Sequence, residues 1–149
     1  MRVVLDTTIL VRANAKATGP ARLLLERIAA GRHQLVVSPF LLEETERVLS
    51  YPRIQALYRL SPSEIREHID LLEAVAEIVD PVVSEPVVLR DSKDDPVVYA
   101  AVVARADVIC TRDHDFYDNA VLEFCRMRNI RVMTDVDLLA ILADEDLET

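Results

Sequence analysis

The stretch Arg2-Val3-Val4-Leu5-Asp6 decides the fold. Three successive apolar residues, with no polar residue at alternate positions, mark a strand covered on both faces. Strands of that kind belong to parallel sheets. The run stops at a carboxylate. A second run, Val108-Ile109-Cys110-Thr111, stops at Arg112-Asp113-His114-Asp115. A third, Val87-Val88-Leu89, leads into Asp91-Ser92-Lys93-Asp94-Asp95 just ahead of a helix-like segment. In open parallel α/β sheets, ligands bind beyond the carboxyl ends of the strands. If these runs share that edge, their carboxylates converge and repel, and a cation relieves the repulsion. Hard divalent ions take oxygen ligands, so the economical reading is a Mg²⁺ or Mn²⁺ site.

The rest of the chain alternates in the same manner. Strands are predicted at 2–5, 35–37, 76–79, 108–111 and 131–133. A loop containing Gly19-Pro20 follows the first strand. A helix over 21–30 places Leu24, Leu25, Ile28 and Ala29 at helical spacing and stops at Gly31. Ser38-Pro39 supplies an N-cap and a proline at the first helical position, opening a helix that ends near Tyr51-Pro52. A short helix is expected at about 53–59. Ser61-Pro62-Ser63-Glu64 is a capping box for a helix over 62–75. Pro86 argues against a central strand over 82–90. Helices at 96–105, 119–128 and 136–143 complete the pattern. Strands separated by helices imply one α/β domain over residues 1–149, a five-stranded parallel sheet in a three-layer α/β/α arrangement. The acidic run at about 144–149 reads as a solvated tail.

Composition narrows the function. The 149 residues are 51% hydrophobic and 29% charged, which suits a globular domain. No apolar stretch approaches the roughly 20 residues of a membrane span, and an acid follows the start too early for a signal peptide, so cytoplasm is expected. The net charge of −9 opposes non-specific adhesion to nucleic acid. It leaves room for an enzyme with a local basic rim. Gly19 and Gly31 are the two glycines, which excludes a phosphate-cradling loop or a dinucleotide fingerprint. Cys110 and Cys125 lie in apolar segments without zinc-ligand spacing and read as buried thiols. Ser38 has no His–Asp arrangement to activate it as a nucleophile.

Acids from four segments can reach one crevice: Asp6, Glu43 or Glu44, Asp94 or Asp95, and Asp113 with Asp115. Here the chain resembles a PIN-domain ribonuclease of the kind that acts as toxin in bacterial toxin–antitoxin pairs. The motifs are Val3-Val4-Leu5-Asp6-Thr7, Val36-Val37-Ser38-Pro39 with Leu42-Glu43-Glu44, Asp94-Asp95-Pro96 with Tyr99-Ala100-Ala101, and Cys110-Thr111-Arg112-Asp113-His114-Asp115-Phe116. By position, the resemblance implies Asp6, Glu44, Asp95 and Asp113 as the catalytic, metal-binding acids, with Asp115 as a fifth ligand. Glu43 and Asp94 are the rivals of their neighbours. Thr7, Thr8 and Thr111 are the supporting hydroxyls. Thr8 stands where the family usually has asparagine. The resemblance further implies cleavage of single-stranded RNA using Mg²⁺ or Mn²⁺, a small antitoxin partner and a homodimer.

Spacing adds a basic rim. Arg12, Arg90, Lys93 and Arg112 flank the acidic segments and could pair with RNA phosphates. Phe40, Phe116 and Tyr117 are the nearest residues for base stacking. Two other classes compete with the nuclease. One is a catalytically weak PIN domain that binds RNA or protein without cutting. The other is a doubly wound phosphatase or receiver. A phosphatase wants an acid two residues after Asp6, where Thr8 stands. A receiver wants a phospho-accepting Asp after the third strand, where Asp80-Pro81 is a poor candidate.

Overall fold

β1 (Arg2–Leu5), β2 (Gln34–Val37), β3 (Ala76–Ile78), β4 (Val108–Cys110) and β5 (Arg131–Met133) form one parallel sheet in the order β3-β2-β1-β4-β5. The computed structural model describes residues 1–83, 85–87 and 94–148. β1 is central and pairs with β2 and β4, with Val4 opposite Val36 on one side and Ile109 on the other. Val3, Val4, Leu5, Val108, Ile109 and Cys110 are fully buried, as unbroken apolar runs require. The five predicted strands are thus present within a residue at each end.

Among the described residues, eight α-helices connect and flank the strands: α1 (Thr7–Arg12), α2 (Pro20–Arg27), α3 (Pro39–Leu49), α4 (Pro52–Tyr58), α5 (Pro62–Val75), α6 (Asp95–Val103), α7 (Asn119–Arg126) and α8 (Asp135–Leu147). The chain steps one way from β1 to β2 to β3, then returns past β1 to β4 and β5. Right-handed crossovers put the helices of the two directions on opposite faces. α1 packs on α3, α3 on α5 and α2 on α8, while α6 packs on β1, β2 and β4. The reversal leaves a crevice between the carboxyl ends of β1 and β4, the place where doubly wound sheets bind ligands.

Three local readings change. Residues 7–12, expected in a loop, form α1, which Asp6 itself caps by accepting the Ile9 N–H. Ile9 and Leu10 are fully buried, so packing holds a helix that a six-residue segment could not hold alone. The helix expected over 21–30 is α2 followed by one π-helical turn, Ile28–Arg32, broken by Gly31 at φ 104°. Asp144 to Leu147 are not a free tail but the last turn of α8, where Asp146 faces Arg27, Arg32 and His33. The predicted caps at Ser38 and Ser61 are present, the latter with the reciprocal Glu64 bond. Of the extended segment 82–90, residues 88–90 lie outside the described residues. Cys110 and Cys125 are buried free thiols. Among the described residues, no helix is long and apolar enough to cross a membrane.

Candidate functional site

Asp6 ends β1 and turns into the crevice with 5% of its surface exposed. One carboxylate oxygen accepts the Ile9 N–H at 3.0 Å. The other accepts the Thr111 hydroxyl across the β1–β4 gap in a very short hydrogen bond. The Thr111 oxygen in turn accepts the Asp113 N–H at 3.0 Å, and Asp113 accepts the Asp115 N–H at 3.0 Å. A relay of short-range bonds therefore runs from the end of β1 through Thr111 into the loop after β4. The Tyr117 hydroxyl donates to the Thr111 carbonyl at 2.7 Å and closes that loop.

Desolvation dominates the charge state of Asp6. Burial pushes its carboxyl up to about 6, against the lowering effect of the Thr111 and Ile9 bonds; Asp113 and Asp135 add repulsion. An isolated buried carboxylate disfavours its own ionised form, and a nearby cation reverses that preference.

Asp6, Thr7, Thr8, Phe40, Glu44, Val48, Asp94, Val97 and Asp113 line a cleft of about 210 Å³ at this edge. Glu44 reaches it from the second turn of α3 and also pairs with Arg47. Its neighbour Glu43 is exposed. Asp94, Asp113 and Asp115 each bring a carboxylate oxygen within 4.8 Å of the others. Oxygen ligands at 2.0–2.1 Å from Mg²⁺ lie roughly 3–4 Å apart, so a small contraction of this group would enclose such an ion. The donor set is carboxylate oxygen throughout, which fits a hard divalent cation and not a thiolate- or imidazole-seeking metal.

The structure brings Asp94 to the cleft and not Asp95. Asp95 is 2% exposed and accepts the Val87 N–H at 3.0 Å, tying the preceding segment to the start of α6. Of these two adjacent acids, Asp94 lines the cleft, while Asp95 takes the Val87 N–H. Sequence position alone does not say which of them faces the cleft.

The basic residues separate from the acids. Arg12 and Arg112 line a neighbouring groove with Lys16, Tyr58 and Asp135, not the acidic cleft. Arg112 donates its Nε proton to Asp135 at 2.7 Å. Arg90 and Lys93 lie outside the described residues. Phe40 borders the cleft, while Phe116 is fully buried in the core. His114 is exposed.

Asp135 escaped the sequence reading although its signal was present. It follows β5 as Asp6 follows β1, and it is 1% exposed. An acid just past an apolar strand was the pattern that found the other three segments.

The solved structure of VapBC2 from Rickettsia felis, bound to a DNA fragment from their promoter, contains a chain of similar fold. The match has a TM-score of 0.56 and 19% identity, and covers 89% of this chain and 97% of that one. At that identity the likeness speaks for the fold. No curated protein matches the sequence. A family model described as PIN domain matches residues 2–115, which spans β1, the α3 acids, the start of α6 and the loop after β4. On that match the chain belongs to the PIN domain family.

Proposed function

We propose that this chain is a metal-dependent endoribonuclease that cuts single-stranded RNA in the cytoplasm, as the toxin of a toxin–antitoxin pair. The observation that carries the reading is the Asp94, Asp113 and Asp115 group beside Asp6 at the topological switch point. Asp6, Glu44, Asp94, Asp113 and Asp115 are the residues that would hold Mg²⁺ or Mn²⁺. Such an ion, when bound, activates water and stabilises charge on a phosphate. The chain's own part is positional. Thr111 fixes one oxygen of Asp6 and the N–H of Asp113 together, so the two acids move as a unit. Asp113 fixes Asp115 in the same way. Asp95 anchors the segment before α6 and so sets where Asp94 stands. Without a cation the group repels a phosphodiester; with one it attracts it.

Labelled single-stranded RNA incubated with Mg²⁺, Mn²⁺ or EDTA tests this directly. Metal-dependent cutting that disappears in Asp6→Asn is the expected result. Retention of RNA without cutting in either metal would instead support the binding-module reading, which Thr8 in the cleft keeps open. The fold shared with a chain of VapBC2 supports a small antitoxin partner. Such a partner would silence the cleft by laying a helix in it or inserting a basic residue among the acids. Co-purification with the product of an adjacent short gene, and loss of cutting in that complex, checks it. The homodimer implied by the resemblance is read by light scattering of the purified chain.

A further inference from the structure

The acidic cleft does not stand alone. Beside it, between the end of α1, the start of α2 and the loop after β4, lies a groove of about 400 Å³. That falls within the roughly 300–1,000 Å³ usual for ligand sites. Its walls carry Arg12, Lys16 and Arg112, one acid, Asp135, and one aromatic, Tyr58. Three cations in one groove are a local reversal in a chain of net charge −9.

Each cation is presented for contact. Arg12 is exposed and has no ion-pair partner among the described residues. Lys16 faces Glu64 at 3.2 Å with its side chain half exposed, a screened surface pair that leaves other protons available. Arg112 differs. Its Nε is held by Asp135, a carboxylate buried in the first turn of α8. Its two Nη groups take no hydrogen-bond partner among the described residues. A guanidinium fixed through Nε keeps an oriented pair of donors, the geometry that grips phosphate oxygens.

The two sites are built on the same two segments, α1 and the loop after β4. Thr8 lines the cleft and Arg12 lines the groove, four residues apart on α1 and therefore on one face of it. Arg112 and Asp113 are adjacent in sequence, one on each side of the boundary. We propose that the groove holds the RNA strand beyond the phosphodiester in the acidic cleft, with Arg12, Lys16 and Arg112 on its phosphates and Tyr58 against a base. Asp135 is the positioning residue for Arg112. This rests on the ribonuclease reading and adds the path of the strand.

The test is binding of a fluorescent single-stranded RNA 12-mer in Mn²⁺ across a series of KCl concentrations, for wild type, Arg12→Ala/Lys16→Ala, Asp135→Asn and Arg126→Ala. Losing two phosphate contacts should weaken binding at least tenfold at low salt. It should also lower the slope of log affinity against log salt by about 1.4, at about 0.7 per single-strand phosphate. Arg126, on α7 and paired with Glu123, should change neither quantity. Asp135→Asn separates positioning from bulk charge. Removing a negative charge would by itself tighten RNA binding, whereas release of Arg112 weakens it and lowers the slope. Arg112→Ala should reproduce the weakening if the Asp135 variant fails to fold. Unchanged affinity and slope in Arg12→Ala/Lys16→Ala overturn the assignment and leave the groove to another partner, such as an acidic protein segment. Absence of cutting by wild type would count against the nuclease reading, while the binding series would still decide the groove.

Discussion

Asp6 carries two roles that pull against each other: it caps α1 and it sits almost desolvated at the crevice. The folded chain holds its proton more tightly than the unfolded one, with a value near 6 against the usual 3.8. The stability from this group is therefore complete below pH 3.8, declines between 3.8 and 6, and is lost above about 6. At 1.36 kcal/mol per pH unit the loss is on the order of 2–3 kcal/mol. Asn can also cap the helix with its one oxygen and turn its amide N–H to the Thr111 hydroxyl oxygen, and it has no charge to desolvate. Asp6→Asn is expected to melt higher than wild type above pH 7 in EDTA, with the difference vanishing below pH 4. Thermal melts across that range check it. A second contrast separates Asp94 from Asp95. Asp94→Asn should cut kcat by about 100-fold or more while leaving the melting temperature near wild type, because several kcal/mol of charge stabilisation are at stake. Asp95→Ala should lower stability by about 1–3 kcal/mol, because the Val87 N–H is left without its acceptor.

At the scale of elements, strands and capped helices were legible because single residues announce them. Ser38-Pro39 and Ser61-Pro62-Ser63-Glu64 state their helices in chemical terms, and both caps form. Ser61→Ala should cost about 1 kcal/mol in a urea titration, chiefly by loosening α5, which packs on the helix that carries Glu44. α1 was illegible for the opposite reason. Thr7, Thr8, Ile9 and Val11 are β-branched, and local propensity argues against a helix there. Burial of Ile9, Leu10 and Val11 overrides it. The site shows the same division. Which segments supply acids could be read from where apolar runs end. Which of Asp94 and Asp95 faces inward depends on how α6 leaves its loop, where Asp95 accepts the Val87 N–H, and a linear sequence does not carry that. Asp135 went unread because β5 is short and only partly buried, so the apolar run that should have flagged it is weak.

For the whole molecule, the strand order explains why acids so far apart in sequence meet, and what their meeting costs. Reversal at β1 gathers Asp6, Asp94, Asp113 and Asp115 at one edge although their segments lie far apart in the sequence. That gathering concentrates negative charge in a chain already at −9, so the folded state works against its own repulsion. A ligand that binds the folded chain alone then stabilises it by mass action, about 2.7 kcal/mol at one hundred times its dissociation constant. For a chain of 149 residues, at about 2–4 °C per kcal/mol, saturating Mn²⁺ should raise the melting temperature by about 5–10 °C. Replacing Asp113 and Asp115 together by Asn removes two of the three grouped carboxylates. That variant should start from a higher melting temperature in EDTA, because repulsion is relieved, and gain little from Mn²⁺. Monovalent salt at matched ionic strength separates screening from coordination, since screening would raise wild type equally in KCl. If wild type gains as much in KCl as in Mn²⁺, these acids are merely crowded; a rise specific to the divalent ion and lost in the double variant shows that they act together as ligands.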